Sequence, residues 1–488
     1  MNAASQSPAS PARSLLGNTL WNLAGTLLPL AIGLLAVPPL LRALGIERFG
    51  LLSLIWMLIG YFGLFDLGLG RALTKLVAEK AEPARQDELS RAVWTGLGAM
   101  SGFGTVGAVV LLLVAEPLVH GLLNIPQQLY AEAIGAIWFL ALSIPFTIVG
   151  SGLRGVMEGL HLFKRANLIR MPLAALTFLA PLAVTVFTPD LAVVSASLLG
   201  VRLLGLIAHW IACVRALPAL ARPRLPEETV ARLLLGFGGW LTVTNIVGPL
   251  MTYLDRFVVG AVSDMASVAY YATPYDLVTR LLMIPYALAG VLFPVFSGAL
   301  QQASAEPARL MSRSLAAVFA VIFPVVVVIV AFAREGLGLW LGDDFASYSF
   351  RVLQWLAAGV LINALAQVPF AFVQGAGRPD WIAKLHVTEL PLYVVVLWWM
   401  LGAAGVVGAA IAWTIRVAID ALVLLRMAHV AAPTGVAISG RLVLAVLLGV
   451  PALLCVALVD SALVRGIVVL LSAIALPALV WGLVAARD

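Results

Sequence analysis

The sequence predicts an all-α polytopic membrane protein of about fourteen transmembrane helices: two pseudo-symmetric sets of six and two further helices at the C-terminus. Three observations predict it. Hydrophobic residues make up 62% of the 488 and charged residues only 11%, against roughly 45–50% and 25% in soluble globular domains. Apolar runs of eighteen residues or more return along the whole length, and at about 20 residues per span they leave no room for a soluble domain. Short signatures also recur about 219 positions apart, the mark of an internal duplication.

Residues 1–14 are polar and rich in Pro and Ser, without the basic stretch, short apolar core and cleavage site of a signal peptide, so they read as a cytoplasmic tail. Spans are expected at 13–41, where Asn22, Thr26, Pro29 and Gly33 form one polar stripe, and at 49–71, which ends in Phe65-Asp66-Leu67-Gly68-Leu69-Gly70-Arg71. Apolar runs of spanning length follow at 91–115, 131–158, 168–187 and 191–214, the last containing Arg202. In 233–262, Thr242, Asn245, Pro249, Thr252 and Arg256 recur at steps of three and four and so share one helical face. Span 268–300 carries Asp276 and Arg280 one turn apart. Spans 313–334, 350–374, 382–401 (with Glu389) and 405–428 (with Arg416 and Asp420) complete the second set. The last two, 441–459 and 466–486, show no polar stripe beyond Arg441, Asp460 and Arg465 at their ends.

Lysines and arginines alternate between successive loops: Arg71, Lys75, Lys80, Arg85 and Arg91 flank the second connection, Lys164, Arg165 and Arg170 the fourth, and Arg215, Arg222, Arg224 and Arg232 the sixth. Basic loops stay in the cytoplasm. About 21 of the 30 basic residues fall on that side, so both termini are expected inside and the net charge of +6 is a topology signal that calls for no nucleic acid.

The duplication is explicit. Leu15-Leu16-Gly17 and Trp21 return as Leu234-Leu235-Gly236 and Trp240, Pro29 as Pro249 and Pro172 as Pro391, while Glu158-Gly159 resembles Gln374-Gly375. Six spans bring the chain back to its starting side, so the repeats run parallel, as in transporters. The expected organisation is a tail (1–14), a first lobe (15–214), a cytoplasmic linker (215–232), a second lobe (233–430) and an extra helix pair with a short tail (431–488).

Each charge at a bilayer centre costs about 2.5 to 3.5 kcal/mol. Asp276 and Arg280 therefore predict a polar environment, either a cavity wall that meets a charged substrate or a structural ion pair. Asp255 and Arg256 lie nearer the far surface, where interfacial charges within snorkelling reach are the competing reading. Asp66 is either half of an interfacial pair with Arg71 or a cavity or proton site. Arg202 and Arg416 occupy equivalent places in the two repeats, and either brace each lobe or lend positive potential to a central cavity. Asp66, Asp255, Asp276 and Glu389 are the candidates for coupling to a proton or sodium gradient, and no cofactor is expected.

The five histidines, His120, His161, His209, His386 and His429, show no ligand spacing, so no metal site is expected. Cys213 and Cys455 lie in apolar spans as packing residues. No extramembrane loop is long enough to hold a catalytic domain.

Leu15-Leu16-Gly17-Asn18-Thr19-Leu20-Trp21, Phe49-Gly50, Phe65-Asp66-Leu67-Gly68-Leu69-Gly70, Tyr253-Leu254-Asp255-Arg256-Phe257-Val258-Val259-Gly260, Tyr270-Tyr271 and Pro294 follow one another in a familiar order. Over about residues 14–430 the chain resembles the polysaccharide-transporter branch, with the Wzx-type O-antigen flippases, of the multidrug/oligosaccharidyl-lipid/polysaccharide (MOP) exporter superfamily. The resemblance implies two six-helix lobes in a V around a central cavity. It implies a flippase, not an enzyme, that turns an undecaprenyl-pyrophosphate-linked oligosaccharide (an O-antigen, capsule or exopolysaccharide unit) from the cytoplasmic to the outer leaflet of a bacterial inner membrane by alternating access. Arg256 and Arg280 would attract the pyrophosphate or acidic sugars, with Asp276 in the cavity wall beside them and Arg202 and Arg416 adding positive potential, and Asn22, Thr26, Thr242, Asn245 and Tyr253 would hydrogen-bond sugar hydroxyls. Membrane lipids and other polysaccharide-assembly proteins would be its partners. Two alternatives stay open: a proton- or sodium-coupled drug or metabolite antiporter of the same superfamily, and, more remotely, a membrane-embedded glycan polymerase or glycosyltransferase.

Overall fold

The computed structural model describes residues 11–64, 69–80, 86–225, 227–229, 232, 250–251, 253–300, 306–432 and 439–485. Among them every regular element is helical, and ten helices are long and apolar enough to cross a membrane. The protein is a multi-pass membrane protein. Its chain divides into two compact units, Met1–Pro249 and Leu250–Asp488.

The first unit holds α1 (Pro11–Leu44), α2 (Ile46–Leu64), α3 (Leu69–Lys80), α4 (Gln86–Pro117), α5 (Tyr130–Gly159), α6 (Phe163–Thr185) and α7 (Leu191–Ala216). Helix α5 is its hub and packs against α2, α3, α4 and α7. Small residues let the backbones approach where lipid offers no hydrophobic drive. A Cβ on Gly155 of α5 would stand 2.7 Å from the Gly70 carbonyl oxygen of α3. Leu73, Val77, Val93, Leu153 and Met157 fill the contact, and the buried Cys213 thiol donates to the Leu153 carbonyl at 3.3 Å. Cys213 is thus a packing residue. Glu132 at the start of α5 accepts from Arg48 of α2 at 2.6 and 2.8 Å and from the Leu191 amide at 3.0 Å, tying three helix ends together.

The second unit holds α8 (253–262), α9 (Met265–Thr279), a single 3-10 turn (Arg280–Leu282), α10 (Met283–Leu300), α11 (Glu306–Ala331), α12 (Ala333–Leu341), α13 (Asp343–Gly375), α14 (Pro379–Ala431), α15 (Gly440–Leu458) and α16 (Ala462–Ala485). Here α13 is the hub, packed against α9, α10, α11, α12 and α14, while α15 and α16 cover α11. The two hubs end alike. A Cβ on Gly159 would meet the Thr74 carbonyl of α3 at 2.7 Å, and one on Gly375 would meet Phe296 of α10 at 2.9 Å. The glycines matched in the sequence repeat therefore do the same work in each unit.

Two helices differ from their first appearance. As one straight rod, the 53 residues of α14 would run roughly 80 Å. Backbone angles leave the helical region at Ala404 and at Gly405, where φ is +57°. His386 and Asp420, about 51 Å apart along a straight helix, lie 3.7 Å from each other. Helix α14 is therefore an antiparallel hairpin turning where the sequence separates its spans, and the tally of ten spans counts it once. The span expected as continuous over 268–300 is instead interrupted by the 3-10 turn at Arg280. Pro285, which has no amide proton, stands just inside α10 and leaves the carbonyl of Leu281 without its ordinary helical donor.

Candidate functional site

Asp264 caps α9 by accepting from the Ser267 amide at 2.7 Å, and the turn it closes folds α8 back along α9. That hairpin sets Asp255 and Arg256 against Tyr271, Tyr275 and Asp276. Asp255 is fully buried, with one carboxylate oxygen accepting from the Arg256 amide at 2.8 Å and the other from the Tyr271 hydroxyl at 2.6 Å. Arg256 is 2% exposed. Its Nη2 donates to Asp276 at 2.5 Å, and its guanidinium lies 4.9 Å from the Tyr275 ring centre and 5.8 Å from that of Tyr253. The cation is thus held by the Asp276 carboxylate and two aromatic faces, with the Asp255 carboxylate anchored on the backbone amide of the same residue.

These positions correct two expectations. Asp276 pairs with Arg256 across the hairpin, because the turn brings α8 closer to it than helical spacing brings Arg280. Asp255 and Arg256 are buried against α9 and held by its side chains, so neither side chain snorkels to solvent. The Asp276 side chain is half exposed. Arg280, at the helix break, is exposed and has no carboxylate partner among the described residues. The accessible charges of this site are therefore Asp276 and Arg280.

A second constellation sits between the arms of α14. Arg416 reaches Glu389 at 3.9 Å, with side chains 13% and 8% exposed, and lies 5.3 Å from the Tyr393 ring centre. His386, Glu389 and Asp420 bring one ligand atom each within 4.8 Å of one another. Neither Glu389 oxygen has a hydrogen-bond partner, nor does Oδ1 of Asp420. Buried acceptors left this way call for a donor. A cation or a shared proton satisfies them chemically. No ligand spacing is legible along the chain here because Asp420 joins His386 and Glu389 only across the hairpin.

Arg202, the repeat counterpart of Arg416, lies half-buried on α7 with its Nε enclosed and without a hydrogen-bond partner. Asp66, Thr242 and Asn245 lie outside the described residues, as do the side chains of Asn22 and Thr26. Tyr271, Tyr275, Tyr393 and His386 are the contributors that sequence reasoning missed. Tyr271 stands in the Tyr270-Tyr271 pair already noticed, but nothing in that pair says which hydroxyl faces Asp255.

Residues 15–300, more than half of the chain, match the family model described as "Polysaccharide biosynthesis protein". The chain is 30% identical over 413 residues to a Shigella flexneri protein named "Putative O-antigen transporter", covering 84% of this chain and 97% of that one. Among solved structures, its fold matches "Lipid II flippase MurJ, inward closed conformation" with a TM-score of 0.71 at 13% identity, over 94% of this chain and 98% of that one. It also matches an inward-facing multidrug resistance MATE family transporter of the MOP superfamily with a TM-score of 0.65 at 15% identity, over 91% and 96% of the two chains. The chain belongs to the polysaccharide biosynthesis protein family and has the fold of the MOP-superfamily transporters.

Proposed function

We propose that this protein is a flippase that carries a lipid-linked oligosaccharide, an undecaprenyl-pyrophosphate-linked O-antigen, capsule or exopolysaccharide unit, from the cytoplasmic to the outer leaflet of a bacterial inner membrane. Both termini are then cytoplasmic, following the basic loops. It is a transporter rather than an enzyme. The observation that carries the reading is the exposed Arg280, without a carboxylate partner among the described residues, at a break in a membrane-spanning helix, in a chain whose Shigella relative is named an O-antigen transporter. A guanidinium recognises phosphate oxygens through paired hydrogen bonds, and a 3-10 turn inside a helix is a common hinge. Arg280 meets the pyrophosphate or acidic sugars. Asp276 sits beside it and Tyr253 lines the same hairpin. Asn22, Thr26, Thr242 and Asn245 supply hydrogen bonds to sugar hydroxyls, and Arg202 lends positive potential. The lobes (15–214 and 233–430), their linker (215–232) and the added helix pair act as one alternating-access device, working beside other polysaccharide-assembly proteins.

The buried His386, Glu389 and Asp420 group favours coupling to a proton or sodium ion, with Asp66, Asp255 and Asp276 as further candidates. The same group also suits an ion-coupled antiporter of small molecules. The test reads lipid-linked oligosaccharide sidedness in cells depleted of the protein, with a probe confined to the outer leaflet. Accumulation on the cytoplasmic side, rescued by the wild type and not by Arg280→Ala at equal membrane abundance, supports the flippase. Normal sidedness overturns it in favour of the antiporter.

A further inference from the structure

A cavity of about 720 Å³ opens in the second unit where α11 ends, α12 runs and α15 turns into α16. Nothing in the transport reading uses it. Its wall has two halves. One carries Arg334, Arg351 and Arg465 with Glu335 and Asp460, a net charge of +1; the other is apolar, with Leu454, Leu458 and Trp355 exposed by 55%, 78% and 41%.

The basic half is only partly neutralised. Arg465 is committed: it pairs with Glu335 at 2.5 Å and donates to the Ala331 carbonyl, yet its enclosed Nε has no acceptor. Arg334 and Arg351 flank one ring, each guanidinium carbon 5.7 Å from the centre of Phe350. Neither donates to a carboxylate among the described residues. Their guanidinium carbons thus lie no more than about 11 Å apart, two exposed cations lining one cavity together with Arg465, whose enclosed Nε has no acceptor.

The level of the cavity fits a headgroup. Helix α12 is nine residues long, carries the charged Arg334-Glu335 in its first turn and Leu339 at 91% exposure, and is closely followed by Asp343-Asp344. That mixture belongs at a membrane interface. The exposed Leu454 and Leu458 continue into Leu447, Leu448 and Val450 of α15, also exposed, which offer an acyl chain a track toward the bilayer interior.

We propose that this cavity is a binding site for one anionic bilayer phospholipid, with Arg334 and Arg351 clasping its phosphodiester, the Arg465 Nε behind them, and its acyl chain along Leu454 and Leu458. A zwitterionic lipid fits worse, because its ammonium would enter a site whose net charge is already positive. A free phosphate fits worse because it leaves the apolar half of the wall uncovered. The site is independent of the transported substrate, so its failure and that of the flippase reading are separate results.

The test is native mass spectrometry of the full-length protein in detergent, titrated with dioleoylphosphatidylglycerol or dioleoylphosphatidylcholine. One tightly retained phosphatidylglycerol per chain is expected. Each basic residue facing an anionic lipid is worth about fivefold in affinity, so Arg334→Gln/Arg351→Gln should lose about twenty-fivefold. Arg334→Lys/Arg351→Lys should lose less, and Leu454→Glu should weaken retention while leaving both arginines in place. Unfolding of each variant is followed in parallel, so that a misfolded glutamine pair leaves the leucine variant to decide. Equal retention of the two lipids, or unchanged retention in every variant, overturns the proposal. Displacement of the lipid by millimolar inorganic phosphate overturns it in favour of a free-anion site.

Discussion

Arg256→Met tests how the α8–α9 hairpin handles its charges. The substitution leaves an apolar side chain of similar length and removes the cation from between Asp255 and Asp276. Asp276 is half exposed, and losing its partner costs no more than about 1 kcal/mol, because solvent takes over. Asp255 is 0% exposed. It keeps the Tyr271 hydroxyl and the backbone amide but becomes an uncompensated interior charge, which costs about 3 to 5 kcal/mol. The sum is about 4 kcal/mol, nearly all through Asp255. Asp276→Asn leaves the buried Arg256 cation without its hydrogen-bonded carboxylate and should itself cost about 3 to 5 kcal/mol, and Asp255→Asn in the Arg256→Met background should recover about 2 kcal/mol or more, since the amide oxygen still accepts a hydrogen bond. Reversible unfolding in mixed micelles, run as a double-mutant cycle, measures each term. A cost below 1 kcal/mol for Arg256→Met, or no recovery in the double variant, refutes the argument that Asp255 depends on this cation.

Other expectations follow from packing and charge. A Cβ on Gly359 would come 2.5 Å from the Trp413 ring, so Gly359→Val should lower unfolding stability by about 1 to 3 kcal/mol, while Gly98→Ala, with nothing within 4 Å, should be near neutral. The hydrogen bond from Arg465 holds the Glu335 carboxyl below its ordinary value. Its stabilisation is present above the unfolded pKa and is lost as pH falls through the lower folded one. Midpoint temperatures of the wild type should therefore fall more than those of Glu335→Gln below about pH 4.3, and parallel curves would remove the bond from the account. Arg280→Ala should abolish oligosaccharide sidedness rescue with unfolding stability unchanged within about 0.5 kcal/mol.

Much of the second unit was legible because membrane spans and duplications are written in composition and spacing. Gly159 and Gly375 matched as letters and proved to be the same close contact in each hub helix. The separation of 382–401 from 405–428 found the turn at Gly405. What escaped was pairing between helices. Spacing of four placed Arg280 beside Asp276, but the true partner, Arg256, lies 20 residues back across a turn whose closure depends on the Asp264 cap. Likewise His386 and Asp420 meet only because α14 folds on itself. Helical periodicity ranks neighbours along one rod and carries no information about which rod faces it.

The turn at Ala404–Gly405 also bears on how the chain enters the bilayer. Two residues reach at most about 7 Å, too little to let one arm settle in lipid while the other waits in water. Alone, either arm would lose its partners across the hairpin: Arg416 its pairing with Glu389, and Asp420 its contact with His386. Closed against each other, they go in as mutual counterions. Concerted entry of the two arms is therefore the expectation for this segment, and an insertion that lengthened the turn should weaken its integration by separating the cross-hairpin partners.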